Sequence, residues 1–283
     1  MPAGEGPSSC APARRTVGGV TQVLGVLNLT RDSYSDGGRY LEPRAALAHA
    51  RGMLDSGAVM IDVGAESSHP DSENVPVEEE LRRLEPVVTA LIATGARVSV
   101  DSYKPAVMRR VLELGVHCIN DITGLRDPEA VEAVRGSACE LIVMHSTSSE
   151  ARARREDEQG GDWTARVVAF FEHRIAELQR AGIARERLIL DPGLGFFLSS
   201  APGPSLEILR NLERLRALGL PLCVSPSRKS FIGSVLGRGV GERAAGTLAT
   251  EIWCAQHGVD WIRTHDVRAL RDALVMLDAI ERA

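Results

Sequence analysis

No C-x-x-C pair occurs in the 283 residues, and the five cysteines (Cys10, Cys118, Cys139, Cys223 and Cys254) are odd in number and widely spaced. Neither a zinc ribbon nor a disulfide framework is supported. Cysteines inside apolar runs act as small hydrophobes, and unpaired thiols fit a reducing cytoplasm. An unbroken run of roughly 18 apolar residues is also missing, which argues against a membrane-spanning helix. Residues 1–20 are rich in Pro, Ala, Gly, Ser and Arg and lack the apolar stretch of a secretory signal, so they read as a flexible tail. Nor is there a basic surplus: 33 Lys and Arg face 38 Asp and Glu, a formal charge of -5. That speaks against a general nucleic-acid binder. A local cationic pocket for a small anion remains compatible, because net charge says nothing about distribution.

The composition is that of a globular chain, 44% hydrophobic and 25% charged. The length can bury a substantial core without staples and matches one α/β barrel. Eight short apolar runs recur in order: Val23 to Asn28, Val59 to Gly64, Val98 to Asp101, Cys118 to Asp121, Leu141 to His145, Leu188 to Asp191, Leu222 to Ser225, and Trp261 to His265. Such runs suit parallel strands buried on both faces.

Helical marks lie between them. Pro43 opens a run ending near Gly57, and Val77 to Thr94 carries Glu78, Glu79 and Glu80 where acidic groups favour the helix dipole. Pro105 and Pro128 open two shorter helices, and Trp163 to Ala181 forms a long one. Ser205 to Ala217, Arg243 to Gln256 and Val267 to Ile280 follow. Eightfold alternation predicts a single (β/α)8 TIM barrel over residues 21–283, with an open doubly wound sheet as the alternative. The polar segment Ser146 to Gly161 reads as a long loop that orders on binding.

Active sites of such barrels form at the C-terminal strand ends. Here those ends carry Asn28, Asp62, Asp101, Asn120 with Asp121, His145, Asp191, Ser225 leading to Arg228 and Lys229, and Arg263 with His265. One aspartate ending a strand is as readily a turn residue as a functional one. Polar groups at every strand end point to a shared site, because strands buried on both faces avoid unpaired charge. Asp101, Asn120, Asp191 and Lys229 offer donors and acceptors for a flat, nitrogen-rich heterocycle. Asn28, His69, Arg263 and His265 offer an anion site, and Mg2+ beside Asn28 would share the anion's charge. In Ser225-Pro-Ser-Arg-Lys-Ser230, Ser227 and the exposed N–H groups of a helix start would hold a carboxylate or phosphate. Capping and surface roles would use the same residue types.

Seven segments resemble, in order, the signatures of the dihydropteroate synthases. They are Leu24 to Gly38 (LGVLNLTRDSYSDGG), Ile61 to Ser67 (IDVGAES), Val98 to Ser102 (VSVDS), Ile119 to Ile122 (INDI), Asp191 to Phe196 (DPGLGF), Ser227 to Ser230 (SRKS) and Arg263 to Asp266 (RTHD). The resemblance spans residues 22–282. It implies a dihydropterin diphosphate deep in the barrel, held by Asp101, Asn120, Asp191 and Lys229 with Met144 and Phe196 lining the pocket. By the same resemblance Asn28, Ser68, His69, Arg263 and His265 serve the diphosphate, with Mg2+ on Asn28. The second substrate, 4-aminobenzoate, would meet Thr30, Arg31, Ser68, Phe196, Phe197 and Ser227. The loops Thr30 to Gly38 and Ser67 to Glu73 would close over it. The family's chemistry expels diphosphate from the pterin methylene carbon and lets the neutral aromatic amine attack. Asp101, Asp191, Lys229, Arg263 and His265 would carry it electrostatically, so the lack of an evident Ser-His-Asp or Cys-His arrangement is no objection.

Three departures stand out. The family commonly has Thr-Pro-Asp-Ser-Phe where this chain has Thr30-Arg-Asp-Ser-Tyr34, and Ser-Thr-Arg-Pro-Gly where it has Ser67-Ser-His-Pro-Asp71. After Phe196 the usual Gly-Lys is replaced by Phe197-Leu198. His69 in place of arginine weakens the permanent charge near the diphosphate, for which Arg31 would compensate. Ser-His-Pro-Asp and Gly-Phe-Phe-Leu look like the sulfonamide-insensitive branch associated with acquired drug resistance. In that reading Phe197 admits flat aminobenzoate and obstructs the sulfonyl group; the alternative is a packed core aromatic. Two rival functions use the same barrel. A methyltetrahydrofolate-dependent methyltransferase would share the pterin-facing Asp and Asn pattern but not the Ser-Arg-Lys-Ser and Arg-x-His elements. A catalytically silent pterin-binding barrel would follow from the altered loops. The family resemblance suggests a homodimer, and Leu270, Leu274 and Leu277 on the last helix suit either an interface or packing on the barrel.

Overall fold

The computed structural model describes residues 21–30, 42–67, 72, 74–148 and 160–283. The expected tail and most of the three loops expected to close or order (30–38, 67–73 and 146–161) lie outside those residues, and with them Arg31, Ser68 and His69.

Strands β1 (Gln22–Asn28), β2 (Met60–Gly64), β3 (Val98–Asp101), β4 (Cys118–Asp121), β5 (Glu140–Met144), β6 (Leu188–Asp191), β7 (Cys223–Val224) and β8 (Trp261–Thr264) alternate with helices. All paired neighbours run parallel, in the order β6-β5-β4-β3-β2-β1-β8-β7. A parallel bridge between Leu190 and Leu222 closes the gap between β6 and β7. The sheet therefore curls into a nearly closed (β/α)8 barrel, and the open-sheet alternative falls away.

The helices are α1 (Pro43–Asp55), α2 (Val77–Ala93), α3 (Pro105–Glu113), α4 (Pro128–Arg135), α5 (Trp163–Arg180), α6 (Pro202–Arg210), α7 (Leu212–Arg216), α8 (Ser230–Leu236), α9 (Ala244–Gln256) and α10 (Val267–Glu281). The helix expected over Ser205 to Ala217 is two helices, broken at Asn211, whose φ of -115° and ψ of 32° leave the helical basin. Strand β7 is shorter than expected because Ser225 leads directly into Pro226, which has no N–H for a ladder. Glu78, Glu79 and Glu80 stand in the first turn of α2 as expected, and Glu80, 1% exposed, also accepts from Lys104. On α10, Leu270 is fully buried and Leu274 packs on the core, whereas Val275, Met276 and Ile280 are exposed.

Two cores follow from the strand period of two. Residues such as Val23, Ile61, Val63, Val98, Val100, Leu141 and Val143 pack outward against the helices. Leu24, Met60, Cys118, Ile142, Ile189, Cys223 and Trp261 form a separate cluster, one residue from each of seven strands, that floors the barrel interior. Cys118, Cys139, Cys223 and Cys254 are free and buried, as hydrophobes. Among the described residues no helix is long and apolar enough to cross a membrane.

Candidate active site

The site lies one pleat above that floor. Two residues beyond Met60, Cys118, Ile142, Ile189, Cys223 and Trp261 stand Asp62, Asn120, Met144, Asp191, Ser225 and Arg263, so the alternation that turns the floor inward turns this layer inward too. Asp101 enters from β3, in register with Asn120.

Arg263 is the centre of the layer. Its Nε donates to Asp62 Oδ2 at 2.6 Å and its Nη2 to Asp101 Oδ2 at 2.9 Å. Asn120 Nδ2 donates to the same Asp62 oxygen at 3.1 Å. Burial works against the guanidinium charge, but Asp62 and Asp101 hold it firmly charged. Burial raises Asp101 to a pKa of about 7, with Arg263 opposing the rise and Asp62 adding to it. The two halves expected from sequence, heterocycle and anion, are thus joined: Arg263 reaches into the carboxylate half. Asp62 is the residue sequence reasoning left without a role, although a charge inside an otherwise apolar doubly buried strand was the available signal.

Asp191 is oriented by two donors. Gly193 N reaches Oδ1 at 2.9 Å, and Ser225 Oγ reaches Oδ2 at 2.8 Å. The first needs the chain to double back, and Gly193 does so at φ 67°. Burial raises the Asp191 pKa. Lys229 projects among these groups with its Nζ over the Phe197 ring, 4.6 Å from the centroid. Burial first, and Arg263 second, lower its pKa to about 8, while Asp191 and Asp101 pull the other way. Phe197 is 5% exposed and clusters with Ile122 and Met144, with Phe196 packed against them.

At the β8 end, His265 is held between two side chains. Asn28 Nδ2 lies 3.5 Å from its Nε2, and Ser227 Oγ lies 2.9 Å from its Nδ1. Burial, reinforced by Arg228, Arg263 and Lys229, drives its pKa well below the usual histidine range, so the ring is neutral. With Asn28 donating to Nε2, Nδ1 carries the proton and donates to Ser227. Ser227 Oγ also accepts the His265 backbone N–H at 3.3 Å. In that tautomer the Ser227 hydroxyl proton has no acceptor among the described residues. The amide oxygen of Asn28 has no partner among the described residues. Thr30 is buried just beyond β1.

Two strand-end residues do not join the site. Asp121 caps the turn that follows it, accepting from Thr123 N, Thr123 Oγ1 and Leu125 N. The His145 ring packs edge-on against Phe170 of α5, and burial with Arg126 lowers its pKa to about 4. Both stand one residue out of phase with the inward positions.

Residues 24–265 match the family described as pterin binding enzyme. A dihydropteroate synthase type-2 from Escherichia coli is 46% identical over 260 residues, covering 92% of this chain and 96% of that one. A Xanthomonas albilineans dihydropteroate synthase solved with 4-aminobenzoic acid is 39% identical with a TM-score of 0.84, covering 93% of this chain and 94% of that one. The same organism's enzyme in complex with 7,8-dihydropteroate gives 37% identity and a TM-score of 0.82 over 93% and 95%. The inward polar layer and a match that runs almost end to end establish that the chain belongs to the pterin-binding enzyme family and, within it, to the dihydropteroate synthases.

Proposed function

We propose that the chain condenses 6-hydroxymethyl-7,8-dihydropterin diphosphate with 4-aminobenzoate, releasing pyrophosphate and forming 7,8-dihydropteroate. The observation that carries this reading is the inward polar layer at the barrel mouth, buried Asp62, Asn120 and Asp191 with half-buried Asp101, Lys229 and Arg263. The aminopyrimidinone edge of a pterin presents adjacent donors to a carboxylate such as Asp191, whose geometry Gly193 and Ser225 already hold. Asn120 reads the mixed edge and Lys229 donates to a ring acceptor.

In the reaction the bond between the methylene carbon and the diphosphate oxygen breaks, and its electron pair leaves with the diphosphate. The amine lone pair forms the new carbon–nitrogen bond, and the amine proton leaves afterwards. Positive charge that develops on the pterin is offset by Asp101 and Asp191; negative charge on the departing group is met by Arg263, Ser227 and the neutral His265. The residues present fit Mg2+ in a limited way: Asn28 supplies one neutral oxygen without a partner among the described residues, suited to an ion that keeps most of its waters. Bound there, the ion would neutralise charge on the leaving diphosphate.

The substrate assignments to Arg31, Ser68 and His69 rest on the family resemblance. Sulfonamide insensitivity is supported by Phe197, which fills space against Met144 and Lys229 beside Phe196. A homodimer is supported by exposed Val275, Met276 and Ile280 on α10 and Trp253 on α9. Free buried thiols suit a reducing cytoplasm.

The test is pyrophosphate release from purified protein given dihydropterin diphosphate, 4-aminobenzoate and Mg2+. Turnover that survives excess sulfonamide supports both the synthase and the Phe197 role. Inhibition at drug levels comparable to aminobenzoate keeps the synthase and removes the resistance. Tight pterin binding without turnover would leave a silent barrel.

A further inference from the structure

Ser227 and Lys229 stand on either side of Arg228, whose φ of 59° lies in the left-handed region. A residue with a Cβ occupies that region only when its surroundings hold it there. Here the hold comes from the start of α9. Arg228 donates its N–H to Thr247 Oγ1 at 3.0 Å. Arg243 Nη1 donates to the carbonyl oxygens of Arg228 at 2.9 Å and Lys229 at 3.3 Å, and its Nε reaches Arg238 O at 3.3 Å. All three acceptors of Arg243 are backbone carbonyls, so its influence reaches the site through the chain.

Space for the guanidinium is made in the middle of α8. A Cβ built on Gly233 would lie 2.5 Å from Arg243 Cζ and 2.5 Å from its Nε, closer than real Cβ atoms come. A glycine inside a helix is otherwise unfavourable relative to alanine. Gly233 is buried in α8, and what the missing side chain accommodates is the Arg243 guanidinium lying against its α-carbon.

We infer that Arg243, seated on Gly233, is a positioning residue for the synthase reaction, locking the Arg228 turn so that Lys229 enters the barrel over Phe197 and Ser227 meets His265. The inference rests on the reading that Lys229 holds the pterin. A staple between α8 and α9 that served stability alone would not alter the state of Lys229, and that difference can be read. Lys229 is faced by Arg263 from β8, Asp191 from β6 and Asp101 from β3, with the Phe197 ring beneath it. Its pKa of about 8 reflects burial first. Lys229 is half-buried, and a loosened turn lets more water reach Nζ and moves that value up toward an ordinary lysine.

The experiment compares full-length Arg243→Ala, Gly233→Ala, the double variant and Lys229→Met. Dihydropterin diphosphate binding is measured by calorimetry, alongside kcat, KM, the alkaline limb of kcat/KM and the thermal midpoint. Arg243→Ala is expected to weaken binding and kcat/KM by roughly ten- to hundredfold, the scale of a displaced substrate-holding group, and to move the alkaline limb upward. Added guanidinium should restore part of the loss. Gly233→Ala should reproduce the defect alone, yet add nothing in the Arg243→Ala background, where it raises the thermal midpoint. Should Arg243→Ala not fold, Arg243→Lys carries the same comparison with one donor retained, and an upward limb is again expected. Folded Arg243→Ala with unchanged binding and limb would overturn the inference, as would equal defects from Gly233→Ala in both backgrounds. Wild-type binding by Lys229→Met would instead overturn the reading of Lys229 on which it stands.

Discussion

Replacing Asp62 by asparagine tests the residue that ties the two halves of the site together. Asp62 is fully buried, and its Oδ2 accepts from both Arg263 Nε and Asn120 Nδ2. Asparagine keeps the shape and removes the charge. Exchanging a charge-assisted bond for a neutral one loses about 1–2 kcal/mol, given roughly 1.5–3 for the former and 0.5–1.5 for the latter. Removing one partner of a buried ion pair outright costs about 3–5 kcal/mol, but Asp101 still balances Arg263 here. A loss of about 2 kcal/mol is therefore expected. At roughly 2–4 °C per kcal/mol for a chain of this size, the melting temperature should fall by about 4–8 °C. The same variant should move the acid limb of kcat/KM downward, because Asp62 is one of the charges that raise Asp101 to about 7. Calorimetric melting and a pH series measure the two effects, and a double-mutant cycle with Arg263→Met measures their coupling. An unchanged melting temperature together with an unmoved acid limb and additive single effects would refute the account of Asp62.

Three further outcomes follow from the same geometry. The kcat/KM profile should be bell-shaped, falling as pH drops through about 7, where Asp101 gains its proton, and as pH rises through about 8, where Lys229 loses its own. Lys229→Arg should abolish the alkaline limb; a limb unmoved by that change would point elsewhere. Burial raises Glu251, on α9, to a pKa of about 8, so the folded chain holds a proton that the unfolded chain releases near 4.5. Stability from this group is present below 4.5 and is lost as pH climbs through 8, whereas Glu251→Gln should be flat across that window; equal pH dependence in both proteins would dispose of the idea. Phe197→Ala should lower the sulfonamide inhibition constant by about tenfold or more, a discrimination that pocket-filling side chains commonly supply, while the aminobenzoate KM shifts less. Equal shifts in both constants would make Phe197 a packing residue only.

Much of the architecture was readable in the chain because the strands are doubly buried and their apolar runs stop at polar residues. Eight runs, each close to an observed strand, carry that signal, as do the prolines that open α1, α3 and α4. The break at Asn211 was not readable, since both flanking segments are apolar at helical spacing and only packing decides the bend. Site membership was legible by type but not by direction. Asp121 and His145 looked like their neighbours Asn120 and Met144 in standing at a strand end, yet one residue of phase turns them to the outside.

What the sequence determined by itself, then, is the barrel, the strand-end chemistry and the family, because periodicity and ordered motifs are local properties of the chain. Only the tertiary structure decided that Asp62 and Asp101 share Arg263, residues 201 and 162 positions away in the chain. It also decided that burial keeps His265 neutral beside Asn28 and Ser227, and that Gly233 is open because Arg243 lies on it. Each depends on which groups closure of the barrel brings within about 3 Å and away from water, where charge and desolvation set protonation.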